Sequence, residues 1–362
     1  MSTTHSGPGP YIPDEAFAPG ETLRDRLVEL GMTQADLAAR TNLSTKHVNQ
    51  IVQGVAPISH ETALLLERAT GTPARIWNAL EAGYRDYLMR ARHVKPSAQD
   101  EAWLRTLPVA ELRRRGLLST RALGGAALEE VLAFFGVADR AAWEKVWLRP
   151  TAAFRRSAAF RSDPGAVAAW LRIGELAARS IDTRPFDVKK FRTALIAARQ
   201  LTSHDAFSDE LVSLCTAAGV ALVFVKEIPG CRTSGAARWL TASKALIQLS
   251  DRHKREDSFW FSFFHEGGHL LLHPKRDVFI EDGIRNDDAA LEDQANQFAA
   301  HVLIPAQFAG RLASLGTTSE IKAFAKELGI SPGVVVGRLH NDGIVDWNQG
   351  NDLIRKIQIV DD

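Results

Sequence analysis

His265, Glu266 and His269 stand in the pattern His-Glu-x-x-His, inside the stretch FWFSFFHEGGHLLLH (259–273). On a helix, residues four apart lie on one face, so the two imidazoles can hold one metal ion together. Glu266 is turned about 100° from His265 and is long enough to reach a water beside that ion. A zinc ion held by two histidines and an acid keeps one position open for water and lowers its pKa to about 7. Glu266 would take the proton from that water and pass it to a leaving amine. The same donors also suit manganese or iron. Apolar residues surround the pattern on nearly all sides, so this helix is expected to run through a core. Three ionisable groups in such a helix need partners, or they cost several kcal/mol.

The third ligand is expected on a second helix, AALEDQANQFAAHVLIP (289–305), ended by Pro305. Its inward stripe is Ala295, Phe298, Ala299, Val302 and Leu303, at helical spacing. Glu292 stands three residues before Ala295 and seven before Ala299, which puts it on that inward stripe as the candidate ligand. Asp293 is turned away from it. Asn296, one turn after Glu292, could hold the Glu292 carboxylate from behind. Glu281 and Asp282, between the two helices, are weaker candidates; His273, one turn past His269, is a possible fourth neighbour and is read first as a helix cap or a solvent-facing residue.

These helices need a frame. GVALVFV (219–225), SGAARWL around Gly235 and KALIQLS (244–250) read as short strands leading into the metal helix. A strand edge beside the metal could bind an extended peptide through its backbone. Two short helices after 317 read as packing around the site, and Arg338 there is placed either for a substrate carboxylate or for an ion pair. Residues 93–203 are rich in Ala, Leu and Arg and read as a helical connector. Trp103, Trp143, Trp147 and Trp170 in that connector are read as packing, and Arg113, Arg114 and Arg115 as a solvated helix face.

The N-terminal part has a different logic. Residues 1–17 are rich in Pro, Gly and Ser and are expected to form a mobile arm. Over 18–92, short helices begin at the capping residues Thr33, Ser44 and Ser59, with Gly31 and Gly54 at helix ends. Leu23, Leu27, Val28 and Leu30 form the expected inner side of the first helix. Ala38, Leu43, Val48 and Ile51 point inward in a helix-turn-helix arrangement. Its third helix would enter the DNA major groove, presenting Ser44, Thr45, Lys46, His47, Asn49 and Gln50, while Gln34 would touch the backbone. Residues 20–92 carry nine Lys/Arg and eight Asp/Glu, a weak electrostatic footprint that leaves protein binding open as another role.

GETLRDRLVELGMTQADLAARTNLSTKHVNQIVQGVAPISHETALLLERATGTPARIW (20–77) resembles the HigA-type antitoxins of the Xre helix-turn-helix class. That resemblance implies a homodimer on a palindromic, double-stranded DNA operator. The block 219–305 resembles the ImmA/IrrE metallopeptidase family in KALIQLS, FWFSFFHEGGHLLLH and EDQANQFAAHVLIP, and the similarity extends through SPGVVVGRLHNDGIV (331–345). It implies His265, His269 and Glu292 as metal ligands and Glu266 as catalytic base. Many relatives have Glu where this chain has Gln294, which points off the Glu292 face.

The expected architecture is therefore α+β and mainly α. It comprises an arm (1–17), a helix-turn-helix bundle (18–92), a helical connector (93–203) and a zincin-like metallopeptidase domain with a small sheet (204–362). Composition is that of an ordinary globular chain, with 45% hydrophobic and 24% charged residues and a formal net charge of +1. Two cysteines, Cys215 and Cys231, give no disulfide framework. No stretch approaches the length of an apolar membrane span, and no secretory signal is read at the start, so the cytoplasm is the expected compartment. The expected function is an antitoxin-like transcriptional regulator with a zinc endopeptidase acting on a protein substrate, a repressor or a toxin. The alternative is a non-enzymatic DNA-binding antitoxin or sensor whose metal is structural or regulatory.

Overall fold

Polar residues start the N-terminal helices, and the computed structural model follows them. It describes residues 17–92, 96–119, 124–148, 162–273 and 287–357. Helix α1 (Pro19–Glu29) opens on proline, whose fixed backbone suits the first helical turn. Helix α2 (Gln34–Thr41) begins with a capping box, Thr33 and Asp36 bonding each other's backbone N–H groups. The Ser44 hydroxyl accepts from the His47 N–H to start α3 (Thr45–Val52), and Ser59 does the same for α4 (His60–Thr70). Asn42 adopts the left-handed conformation (φ 57°) that turns the chain between α2 and α3. Helix α5 (Ala74–Arg92) closes the bundle.

Backbone contacts divide the chain into two compact units, Met1–Ser97 and Ala98–Asp362. The first has its own core, built from Leu23, Leu27, Leu37, Val48, Ile51, Leu66 and Trp77 among others. A Cβ on Gly20 would stand 2.2 Å from the Ile51 carbonyl oxygen, so α1 can lie against α3 only with glycine there. Val28 and Leu30 do not join this core as expected: Val28 is 76% exposed, because the narrow stripe that α1 turns inward runs through Pro19, Gly20, Leu23 and Leu27. Residues 1–16 of the expected arm lie outside the described residues.

The second unit is built on a three-stranded sheet of order β1-β3-β2, from β1 (Val220–Phe224), β2 (Gly235–Thr241) and β3 (Lys244–Leu249). β1 runs parallel to β3, with Val220 opposite Ala245, and β2 runs antiparallel to β3, with Gly235 opposite Leu249. Side chains alternate between two faces. Ala221, Val223, Ala236 and Leu246 point to one core, while Val220, Leu222, Ala245, Ile247 and Leu249 point to another.

The first of these cores belongs to the connector. Its helices α6 (Ala98–Leu104), α7 (Val109–Arg114), α8 (Gly125–Phe135), α9 (Arg140–Trp143, continuing as a π-turn to Leu148) and α10 (Pro164–Arg179) supply Trp103, Trp143, Trp147 and Trp170, all buried. Gly174 of α10 makes room for Gln248 of β3, whose amide donates to the Trp170 carbonyl at 2.7 Å. Arg115 accepts nothing and donates to Glu111 and to the carbonyls of Lys226 and Glu227, so it ties the turn after α7 to the loop after β1. The stretch expected as a connector thus shares its core with the sheet, because alternating strand residues need cover on both faces.

The other face carries α11 (Val188–Leu201), α12 (Ser208–Ala217), the metal-motif helix α13 (Glu256–Leu272) and α14 (Asp287–Leu303). After the short α15 (Ala306–Ala309), α16 (Thr318–Leu328) and α17 (Pro332–Asn341) complete that core with Phe324, Leu328, Val335 and Leu339. Glu256, wholly buried at the start of α13, accepts from the Ser331 hydroxyl (2.8 Å), the Arg355 backbone N–H (3.0 Å) and the Arg355 guanidinium (2.6 Å). Those bonds fix the helix at its N-terminal end. Arg338 bonds Asp342 one turn on, an ion pair within α17 and its cap. No described helix is long and apolar enough to cross a membrane.

Candidate metal centre and DNA-facing helix

Helix α13 is apolar around Phe259, Trp260, Phe263, Phe264 and Leu270, all buried, which carries His265, Glu266 and His269 into the fold. Two glycines let its neighbours close in. A Cβ on Gly267 would stand 3.1 Å from Leu195 of α11, and one on Gly268 would stand 3.1 Å from Phe298 and 3.3 Å from the Ala295 backbone of α14. The close approach of α14 brings Glu292 to the histidines. Its carboxylate oxygens lie 3.2 Å from His265 Nε2 and 3.4 Å from His269 Nε2, and the two Nε2 atoms are 2.9 Å apart.

Donors of His265, His269 and Glu292 all lie within 4.8 Å of one another, the set that could hold a metal ion. A tetrahedral ion with bonds of about 2.0–2.1 Å sets its donors roughly 3.3 Å apart, so these residues fit zinc. The electrostatics agree. Burial opposes ionisation of Glu292, but its hydrogen bonds to both histidines outweigh that and hold the carboxyl well below the usual carboxylate range. Burial would likewise lower His265, yet the Glu292 bond and the charges of Glu266 and Glu292 raise it. A carboxylate kept ionised beside two imidazoles is a place that favours positive charge.

Asn296 departs from expectation. Its Oδ1 lies 2.9 Å from His265 Nδ1 and bonds that ring, not the Glu292 carboxylate. One helical turn carries Asn296 past Glu292 to the outer side of His265, where a carbonyl oxygen fixes the proton on Nδ1 and leaves Nε2 free to ligate. Glu292 also differs in degree: it touches both histidines but is 55% exposed, so the cluster opens to solvent on that side. Glu281 and Asp282 lie outside the described residues.

Glu266 faces the sheet. It is buried, and burial pushes its carboxyl above the usual range while the two histidines pull it down. The backbone N–H of Ala237 on β2 donates to it. A Cβ on Gly235 would stand 2.9 Å from Glu266 Cγ and Oε1, so this glycine makes room for the carboxylate. Gly235 and Ala237 were not legible as site residues, since nothing local in SGAARWL points to a partner in α13. His273, the possible fourth neighbour by its spacing four past His269, turns toward that ring and not to solvent. Its Nδ1 lies 2.9 Å from His269 Nδ1.

In the first unit, α3 exposes Thr45, Lys46 and Asn49, with His47 and Gln50 half-buried, and Ser44 exposed at its cap. Asn49 Nδ2 donates to Gln34 Oε1 at 3.2 Å, which brings the start of α2 and the outer side of α3 onto one surface. Ser44 uses one lone pair on the helix cap and keeps its hydroxyl proton for another acceptor.

Residues 224–340 match the peptidase-family model described as IrrE N-terminal-like domain, and residues 23–77 match a helix-turn-helix family model. No curated protein matches the chain. Among solved structures, the Pseudomonas aeruginosa antitoxin HigA with higBA promoter is 34% identical, covering 22% of this chain and 87% of that one, with a TM-score of 0.21. An addiction module antidote protein of the HigA family from Coxiella burnetii is 27% identical, covering 23% of this chain and 99% of that one, with a TM-score of 0.20.

Proposed function

We propose that this chain, which joins a helix-turn-helix domain to an IrrE N-terminal-like domain of a peptidase family, is an antitoxin-like DNA-binding regulator with a zinc-dependent endopeptidase. The observation that carries the enzymatic half is the convergence of His265, His269 and Glu292 beside a buried carboxylate outside that set, Glu266. When bound there, zinc supplies the positive charge that polarises a peptide carbonyl and acidifies water. Manganese or iron would suit the same donors. Asn296 orients His265 for that role. Glu266 is the group that holds and moves a proton, from water to the departing amine. Its raised pKa suits a base that must later act as an acid.

β2 is an edge strand of the sheet order β1-β3-β2, and it touches Glu266 through Ala237. An extended segment of a protein substrate, a repressor or a toxin, would add to that edge by backbone hydrogen bonds and pass the reacting groups. Two copies of α3 would read two half-sites of an operator one helical turn apart, with Lys46 and Gln34 on phosphates and Asn49 and Gln50 toward bases.

Elemental analysis of the purified wild type, His269→Ala and Glu292→Ala tests the centre. About one zinc per chain, lost in both variants, is the expected result. Absence of stoichiometric metal in the wild type would replace this reading with the non-enzymatic regulator. Protection of the chain's own upstream DNA in a footprint tests the other half, and its absence would leave the N-terminal unit as a protein-docking module.

A further inference from the structure

Among the described residues His273 is the one imidazole at the centre outside the candidate ligand set, and its place is specific. It follows α13 as the cap residue, and its backbone N–H bonds the His269 carbonyl at 3.3 Å. That bond completes the helix end and makes no demand on the side chain. The ring nevertheless turns back onto His269, with centroids 4.9 Å apart and planes at 63°, and the two Nδ1 atoms are 2.9 Å apart. At that distance one nitrogen donates and the other accepts.

The direction of that bond decides what His269 can do. A neutral imidazole carries one proton. If His269 receives at Nδ1, its own proton sits on Nε2, the atom that points at Glu292 and His265 and must be bare to ligate. If His269 donates from Nδ1, Nε2 keeps its lone pair. His265 meets the same requirement through Asn296 Oδ1, an acceptor. Both ligand rings therefore have a partner on the far nitrogen, one from α14 and one from the end of α13.

We infer that His273 is the positioning residue for His269: its Nδ1 accepts the His269 Nδ1 proton and so presents Nε2 to the metal. The inference rests on the reading of His265, His269 and Glu292 as a metal centre. In this arrangement His273 carries its own proton on Nε2, a buried atom with no hydrogen-bond partner among the described residues.

Two substitutions separate acceptance from packing. Asparagine places a carbonyl oxygen two bonds past Cβ, where the Nδ1 of histidine stands, while phenylalanine keeps the ring and removes the acceptor. Zinc affinity of the full chain would be measured by competition with a chromophoric chelator for wild type, His273→Asn and His273→Phe. In parallel, nitrogen-15 NMR of the zinc-loaded protein would report whether the His269 Nδ1 carries the proton. The expected result is a 10–100-fold loss of affinity in His273→Phe, the range for partners of metal-bound histidines. His273→Asn is expected to recover most of it, with the Nδ1 proton of His269 observed in the wild type. Wild-type affinity in His273→Phe, or equal losses in both variants, would overturn the positioning role while leaving the metal centre standing. A wild type that binds no zinc would overturn both.

Discussion

At the scale of single residues the proposed centre would separate holding a metal from moving a proton, and the two can be tested apart. Glu266 stands outside the candidate ligand set and meets Gly235 and Ala237 of β2. Glu266→Gln keeps the shape and an oxygen for the Ala237 N–H but cannot take a proton. Zinc per chain should stay at the wild-type value, while hydrolysis of a denatured protein substrate falls by about 10²–10⁴. Lost metal or retained hydrolysis would each remove Glu266 from the base role. Gly235→Ala probes the same group from the strand side. The added methyl meets Glu266 at 2.9 Å and Leu249 at 3.2 Å, and the carboxylate is the more movable neighbour. A displacement of about 1 Å can cost about 10²-fold in rate. Turnover should drop by at least tenfold at unchanged zinc content, and an unaltered rate would show that the carboxylate need not stand where β2 puts it.

At the scale of elements the centre depends on how closely α14 lies along α13. Gly268→Ala would gain up to about 1 kcal/mol of helix propensity. Overpacking costs typically about 1–3 kcal/mol, and the contacts of 3.1–3.4 Å include the Ala295 backbone, which cannot swing aside as a side chain can. Relief comes by moving α14, and Glu292 moves with it. Zinc affinity should fall several-fold by chelator competition even where the melting temperature shifts little; an unchanged affinity would mean that Glu292 follows the metal and not the helix packing. Much of this scale was legible beforehand. Helix periodicity carried the inward stripe of α14, capping residues marked α2, α3 and α4, and short apolar runs with polar punctuation marked β1 and β3, because each of these signals is local. What stayed hidden was non-local: the order β1-β3-β2, the contact of Gly235 with Glu266, and the partner of Asn296. A spacing of one turn says that two side chains share a face, but it does not say which ring from another helix will stand there.

At the scale of the whole molecule the chain holds two compact units, and the Ala-rich middle region belongs with the second. Its sequence read as a separate connector because its own helices are regular; the alternation of β1 and β3, with apolar residues on both sides, was the cue that the sheet needed cover from elsewhere. Arg115 and Glu111 are part of that attachment. The Arg114 side chain, followed by Arg115, outweighs burial and holds the Glu111 carboxyl down at about 2, against an ordinary 4.5. A depressed carboxylate pKa contributes stability that is whole above pH 4.5, declines as pH falls through the interval, and is gone below about 2. Solvent screening at this partly open pair limits the contribution to about 1 kcal/mol. Calorimetry of the full chain should show two transitions, since each unit has a core of its own. Glu111→Gln should lower only the transition of the larger unit, by about 2–4 °C at pH 7. That gap should close as the scan is repeated down to pH 2, and it should be insensitive to zinc at fixed saturation. A gap that is constant with pH would mean that Glu111 contributes through packing, and a single transition, or a shift shared by both, would mean that the two units do not unfold independently.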